Sequence, residues 1–486
     1  MNTRAESPRV AFVVDHPQRD LAGVVLTAFE MCQRGATCHL VPLNVQHREI
    51  WSLAPQMVVL NYLRRNNERF GKQLMEAGIS LAAMDTEGGV WPDVEHYAEI
   101  LWQDAEVRRR VQLACMWGPH LADAMVERGT LARSQVAVTG CPRFDLYHPL
   151  WNGVTESTRD RQVPRVLINT NFSISNPRFA TPEENARHLQ EHLGWPGERL
   201  KDYVEAEEQA ISLVIALARD LHRDYPSIEI VLRPHPFENL ERYRVPLGDA
   251  PRIRIENATP VQGEIAAASV VIQRSCSTAI ESGLAGVPTL SPQWVPAPWL
   301  MPTAESVSDS CASYQDLRER LDAVFHGSYR SPDVIQTAIG EVVREWFYRN
   351  DGLAHDRVSK ALLQSLNGNG HVDRRRCLRH LCGLDGSSGF GAGRLGGELR
   401  YALGLSPDWS FMQFRRMPNT EWTRTGKYFG VPEVEELVGS IQRARATRGE
   451  DTRPVHVRAA RQTGEYLRPH EGHSVTLFCD HATVAA

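Results

Sequence analysis

From Arg9 onward, short runs of aliphatic and β-branched residues alternate with amphipathic stretches, and this alternation restricts the fold more than any other feature of the chain. Apolar runs without polar alternation mark strands buried on both faces, and the stretches between them supply the crossovers that parallel strands require. RVAFVVDHP predicts a strand closing near Asp15, LAGVVLTAFEMCQRG a helix stopped by Gly35, and TCHLVPLN a second strand. QMVVLNY, ISLAAMDTEGG, LACMWGP and QVAVTGCPRFD continue the series to about residue 150. The polar stretch NGVTESTRDRQVP then interrupts it.

The rhythm restarts with RVLINTNF, the long helix DYVEAEEQAISLVIALARDLHRDYP, and strands at IEIVLRPHP and RIRIENA. VVIQRSCSTAIESGLAGVPTL follows as strand, turn, helix and strand; YQDLRERLDAVFHG and TAIGEVVREWFYRNDG read as helices. At 486 residues the chain exceeds what one core supports, given about 150 residues per domain. The expected class is therefore α/β, with two Rossmann-like domains facing a cleft, over residues 1–155 and 156–370, and a C-terminal extension over 371–486. That extension is glycine-rich and weakly periodic, and its role is not read from the sequence. Gly391, Gly393 and Gly396 match GxGxxG there, but they follow DGSS where a dinucleotide site needs a strand, so they read as a loop.

An apolar share of 42 % and a charged share of 23 % are those of a soluble globular protein, and a formal charge of -5 argues against a general nucleic-acid binder. No apolar run approaches the roughly 20 residues of a membrane span, and MNTRAESPRV lacks a secretory core, so a cytoplasmic location is expected. The nine cysteines are scattered and read as reduced thiols. His371, Cys377, His380 and Cys382 cluster in HVDRRRCLRHLC, but their spacing is not that of a zinc site; a solvated basic helix is the preferred reading, and no metal is expected. RRRCLRH and REWFYR are basic stretches that could touch an anionic membrane face, although solvated helix faces explain them equally.

Ligands of open parallel sheets bind beyond the carboxyl ends of the strands. In AAMDTEGG, Asp85 and Glu87 leave a strand and enter Gly88 and Gly89, which permit a sharp turn and close approach of a ligand; a carboxylate here could act as a base toward a hydroxyl or simply cap a helix. In VLRPHPFE the prolines end the strand at Leu232 and hold His235 still, with Arg233 beside it to grip a phosphate or carboxylate. In QRSCSTAIESG, Ser275, Ser277 and Thr278 stand at a helix start suited to an anion, and Glu281 either reaches ribose hydroxyls or completes a capping box with Thr278. Asn169, Thr170 and Asn171 of INTNFS form a fourth polar strand end.

Together DTEGG, TGCPRFD, INTNFS, RPHPFE and SCSTAIESGLAGVP resemble the hallmarks of bacterial surface carbohydrate biosynthesis proteins, over roughly residues 9–350. They are also similar to motifs of bacterial sialyltransferases and Kdo transferases of GT-B fold. The resemblance implies a glycosyltransferase moving a sugar from a nucleotide donor to an acceptor hydroxyl. Glu87 takes the base position with Asp85 second, His235 the His-Pro position, and Ser277-Thr278 the phosphate-binding pair; Gly140 and Arg143 of TGCPRFD line the cleft. Thr86 stands where the pattern prefers an acid, and Cys141 where the wider family often has Asn. The implied donor is a CMP-sugar, with UDP-sugar second and no further cofactor; the partners are a glycan or lipid-linked acceptor, with peripheral association at the inner face of the cell membrane. The competing expectations are a UDP-sugar 2-epimerase, a CDP-glycerol phosphotransferase, and a catalytically silent assembly scaffold.

Overall fold

The structure, a computed structural model, describes residues 7–89, 91–155, 163–193, 197–248, 250–366, 371–382, 427–460 and 474–480. Its strands are β1 (Arg9–Val14), β2 (Thr37–Pro42), β3 (Met57–Leu60), β4 (Ser80–Met84), β5 (Leu113–Met116), β6 (Val136–Val138), β7 (Arg165–Asn169), β8 (Glu229–Arg233), β9 (Ile253–Ile255), β10 (Val270–Ile272), β11 (Thr289–Pro292), β12 (Asp309–Cys311), β13 (Val455–Ala459) and β14 (Val475–Cys479). The chain forms two α/β units: Met1–Val154 together with Arg344–Ala486, and Thr155–Val343 between them.

The first unit carries a sheet in the order β13-β14-β2-β1-β3-β4-β5-β6. From β2 to β6 the pairing is parallel throughout, whereas β14 joins β2 in the antiparallel sense and β13 joins β14 likewise. Strand order reverses direction between β1 and β3, which opens a crevice at their carboxyl ends. The core is built on Val10, Phe12 and Val14 of β1, Val25 and Phe29 of the helix Ala22–Gln33, and Val358 and Leu362 of the helix Ala354–Leu366.

The second unit has the order β12-β11-β10-β7-β8-β9, all parallel, which is the doubly wound pattern with its reversal between β7 and β10. The long helix Gly197–Asp224 lays Ile211, Val214, Ala218 and Leu221 onto that sheet. β8 runs one residue beyond the expected Leu232, because Arg233 still pairs with Asn169 and its carbonyl accepts from Thr170 before Pro234 ends the ladder.

One of the two boundaries differs from expectation. The break near residue 155 falls inside the polar stretch, but the second falls at Val343 and Arg344, not near residue 370. Nor do the described parts of 371–486 form a separate extension. Val434, Val438 and Ile441 of the helix Val431–Thr447, with Val475 and Leu477 of β14, are integral to the core of the first unit. The helix Arg374–Cys382 docks as well, with Cys377 buried and the His380 ring stacked on Trp51 at 4.3 Å, so the expected freely solvated helix has one committed face. Trp346 and Phe347 of REWFYR are buried, while Tyr348 is partly exposed. Among the described residues no helix is long and apolar enough to cross a membrane, and no cluster of metal-ligating side chains forms. The GxGxxG glycines Gly391, Gly393 and Gly396 lie outside the described residues.

Candidate functional site

In the first unit, the carboxyl ends of β1, β3 and β4 bring together acidic and basic side chains drawn from distant parts of the chain. Asp15 follows β1 and is bound by Arg19 at 2.8 Å and by Lys427 at 2.5 Å. Burial pushes the Asp15 carboxyl up, but the charges of Arg19 and Lys427 outweigh it and leave it at about 2. Arg19 also holds Asp20 at 2.9 Å.

After β4, Asp85 and Glu87 are chemically unlike. Asp85 is only 4 % exposed; its Oδ1 accepts from the Glu87 N–H at 2.8 Å, and burial, opposed by the Arg64 charge, raises its pKa to about 6. Glu87 is half-buried and ion-paired to Arg64, with Arg19 at 3.6 Å; burial raises its pKa, but Arg64 and then Arg19 outweigh that and hold it below the usual carboxylate value. A carboxylate clamped by guanidinium groups resists taking a proton, whereas one poised near neutrality can accept and release it.

Gly88 and Gly89 pack against aromatic rings. A Cβ on Gly88 would stand 2.9 Å from the Trp117 ring, and one on Gly89 2.7 Å from Phe347, while the Trp117 indole N–H donates to the Asp85 carbonyl at 2.6 Å. Both glycines thus serve close packing that fixes the turn. Gly140, at φ 79°, likewise packs against the helix Ala354–Leu366, where a Cβ would meet Ala354 at 3.0 Å. Asp145 of the same motif caps that helix by accepting from the Ala354 and His355 N–H groups at 2.9 and 2.8 Å. Arg143 does reach the site: buried beside the Trp117 and Phe144 rings, it donates to Asp20 and to the Thr86 carbonyl, both at 3.4 Å. A small cavity here is lined by Asn61, Asp85, Thr86 and Arg143 together with Asp20 and Gly23. Sequence reasoning missed Asn61 and Lys427; a polar residue directly after the apolar run MVVL was the signal for the first, and nothing local announces the second.

In the second unit, the sequence-predicted residues assemble around the reversal between β7 and β10. Asn169, the last residue of β7, donates from Nδ2 to Thr278 Oγ1 at 3.0 Å, while its Oδ1 is buried without a hydrogen-bond partner. Its register partner across the ladder is Arg233. Ser277 precedes the helix Thr278–Leu284 in a helical conformation and its side chain makes no cap bond; the capping box expected between Thr278 and Glu281 is not formed, and Glu281 is buried within the helix.

Other candidates are committed to the protein. Ser275 sits in the left-handed region at φ 56°, its hydroxyl donating to the Trp299 carbonyl at 2.7 Å and accepting from the Met301 N–H at 2.5 Å, so it shapes the turn after β10. Thr170 donates to Glu238 at 2.8 Å, Arg233 donates to the Thr259 carbonyl at 2.7 Å, and Asn171 is exposed. His235 is held on several sides: its N–H donates to Glu238 Oε1 at 2.9 Å, its carbonyl accepts from Asn257 at 3.2 Å, and its Nδ1 accepts from the Phe237 N–H at 3.2 Å. A ring nitrogen that accepts carries no proton, so the neutral imidazole is the tautomer with its proton on Nε2.

No family model matches the chain, and no curated protein matches it. Among solved structures, the chain is similar to the UDP-GlcNAc 2-epimerase of Neisseria meningitidis bound to UDP-GlcNAc, with 12 % identity, coverage of 73 % of this chain and 100 % of that one, and a TM-score of 0.44. It is similar to the UDP-GlcNAc 2-epimerase of Methanocaldococcus jannaschii in complex with UDP-GlcNAc and UDP, with 12 % identity, coverage of 73 % and 99 %, and a TM-score of 0.43. A glycosyltransferase from Rickettsia africae ESF-5 shows 12 % identity, coverage of 75 % and 100 %, and a TM-score of 0.40. At these scores the likenesses carry no argument about activity, and the α/β assignment stands on the strand orders given above.

Proposed function

We propose that this protein is a nucleotide-sugar-dependent glycosyltransferase of glycan biosynthesis, with the nucleotide held by the second unit and the acceptor hydroxyl activated in the first. The observation that carries this reading is the Asn169–Thr278 hydrogen bond, which gathers Asn169, Ser277 and Thr278 at the reversal between β7 and β10, where doubly wound sheets take nucleotides. The Asn169 Oδ1 is an acceptor for a ligand N–H or O–H, and the Ser277 hydroxyl and His235 Nε2–H are donors for phosphate oxygens.

Asp85, in preference to Glu87, is the base in this reading. Its buried carboxyl near pKa 6 is ionised at neutral pH yet basic enough to take a proton, while Glu87 keeps Arg64 and Arg19 in place. The acceptor O–H gives its proton to Asp85 as its oxygen bonds to the anomeric carbon. The bond from that carbon to the phosphate oxygen breaks, and the electron pair leaves with the nucleotide, whose charge His235 stabilises through a hydrogen bond. The donor that the motifs favour is a CMP-activated ulosonic acid, and the acceptor a glycan or lipid-linked glycan at the inner membrane face.

Thermal-shift titration with CMP, CDP and UDP, followed by release of free sugar from the matching nucleotide sugars, tests the reading. One nucleotide should stabilise the protein and its sugar conjugate should be consumed. Equal indifference to all of them would overturn the proposal, and epimerised donor without transfer would replace it with a 2-epimerase.

A further inference from the structure

The reversal between β1 and β3 in the first unit leaves a small cavity bordered by polar side chains whose hydrogen-bonding capacity the protein does not fully use. Asn61, the first residue after β3, is 2 % exposed, and neither its Oδ1 nor its Nδ2 has a hydrogen-bond partner of proper geometry, although the Tyr62 hydroxyl lies beside the amide. The Oδ2 of Asp85 and the Oγ1 of Thr86 are in the same condition, with the Tyr97 hydroxyl near the Asp85 carboxyl. Asn61, Asp85 and Thr86 line one small cavity together with Asp20 and Arg143, and the rest of its wall is largely apolar, with Val13, Val24, Val59 and Met84.

Buried polar atoms left without partners are rare in folded proteins, and clustering several on one cavity is costly unless something else satisfies them. The cost has an evident alternative: a leucine at residue 61 would fill similar space with no amide to desolvate. Polar groups retained against that cost mark a place where a ligand completes the hydrogen bonds. The position agrees, since the crevice beyond the carboxyl ends at a strand-order reversal is where open parallel sheets take ligands.

The chemistry of the lining defines the occupant. Asn61 offers an amide N–H donor and a carbonyl acceptor, the Asp85 carboxylate accepts, and the Thr86 hydroxyl does either. One alcohol satisfies the first two together, accepting from Asn61 Nδ2 on its lone pair and donating its proton toward Asp85 Oδ2. A phosphate or carboxylate would meet the Asp85 and Asp20 carboxylates as like charges, with Arg143 already donating to Asp20 and to the Thr86 carbonyl, and the space suits a group about the size of a water molecule, so a single hydroxyl arm fits where a whole ring does not. We infer that the Asn61–Asp85–Thr86 cavity is the subsite for the reacting hydroxyl of a sugar acceptor, with Asn61 as the residue that orients it. This deepens the transferase reading and rests on it for the word acceptor, but the binding of a sugar alcohol in the first unit can be tested apart from transfer.

The experiment is saturation-transfer NMR on the full chain with the methyl glycosides of glucose, galactose, mannose and N-acetylglucosamine, run on the wild type, Asn61→Leu and Thr86→Val, with melting curves and nucleotide titrations on each. At least one glycoside should bind the wild type saturably, and Asn61→Leu should weaken it tenfold or more while nucleotide binding is unchanged. Asn61→Leu should also melt no lower than the wild type, which a merely structural asparagine would not allow. Absence of glycoside binding to the wild type, or a variant that melts lower and binds as before, overturns the subsite. Glycoside binding by a protein that ignores CMP, CDP and UDP would keep the subsite and remove the transferase reading; nucleotide binding without glycoside binding would do the reverse.

Discussion

Asp15 and Lys427 stand 412 residues apart in sequence and form a buried ion pair, with the Lys427 Nζ 2.5 Å from the Asp15 Oδ1. Removing Lys427 leaves the buried Asp15 carboxylate with Arg19 but without its second cation. Lys427→Met is therefore expected to lose stability, by at most about 3–5 kcal/mol, the cost of a fully stranded charge, read from denaturant melts, whereas replacing both residues by apolar ones should recover much of that loss. The pH dependence has a definite sign. Charge pairing holds the Asp15 carboxyl at about 2 in the folded protein, below the ordinary aspartate value of 3.8, so its contribution is complete above the unfolded value and disappears as pH falls from about 4 to about 2. In Lys427→Met the acid transition should move to higher pH, because burial then opposes ionisation with less compensation. Identical acid melts for variant and wild type would show that the pair contributes nothing.

The same relationship predicts the outcome of truncation. A chain ended at residue 370, which looks like a natural stopping point in the sequence, loses β13, β14 and the helix Val431–Thr447. It uncovers the edge of β2, where Leu40 and Cys38 pair with Val475 and Leu477, and the apolar face beneath Val434, Val438 and Ile441. An exposed apolar edge strand is a site of aggregation. The truncated protein should be insoluble or melt well below the full chain; equal melting temperatures would mean that the C-terminal segment is dispensable for the first unit.

The order of strands and crossovers was legible in the sequence because apolar periodicity is local. RVAFVV, QMVVL and VLINT declare buried strands without reference to anything else. What the tail does was not legible: β13 alternates buried and exposed positions in VHVRA, a pattern easily lost among charged neighbours, and its partner β14 lies beyond a polar stretch. Site residues divide the same way. Asp85, Asn169 and His235 were visible as polar residues at strand ends, but the roles of Gly88 and Gly89 depend on Trp117 and Phe347, which no local pattern connects to them. Ser275 and Thr170 looked identical to ligand-binding hydroxyls until their backbone and carboxylate partners came into view.

Asp85 carries a stability prediction of opposite sign to Asp15. Its folded pKa of about 6 lies above the ordinary aspartate value of 3.8, so the folded state holds a proton that the unfolded state has released between those values. Stability attributable to Asp85 is therefore present below about pH 4 and falls as pH rises through about 6, by about 3 kcal/mol at most. Asp85→Asn keeps an oxygen for the Glu87 N–H and should melt higher than the wild type at pH 8, with the difference vanishing near pH 4. In the transferase reading it should also lose activity by about a hundredfold or more, and the wild-type rate should fall below about pH 6 as the base is protonated. Glu87→Gln should instead destabilise the Arg64 and Arg19 cluster. A Glu87→Gln protein that is stable but inactive, beside an active Asp85→Asn protein, would return the base to Glu87.

His235 separates proton donation from hydrogen bonding by the choice of replacement. Because Nδ1 accepts from the Phe237 N–H, the ring's donor is Nε2–H, and an asparagine keeps only the first of these while a glutamine places its amide nearer the second. If His235 acts on the departing phosphate by a hydrogen bond, His235→Gln should retain a substantial part of the rate, and His235→Asn and His235→Ala should each lose about 10²–10³ in kcat, the usual loss on removing one preorganised donor. If it transfers a proton, glutamine should fail as badly as alanine, since an amide cannot release one at neutral pH. Preserved activity in His235→Asn would assign the residue to the loop alone, where the Glu238 carboxylate and the Asn257 amide already hold its backbone. Nucleotide titrations of the same variants locate the effect: a weaker nucleotide affinity with unchanged kcat belongs to ground-state binding, and a lower kcat with unchanged affinity belongs to the transition state.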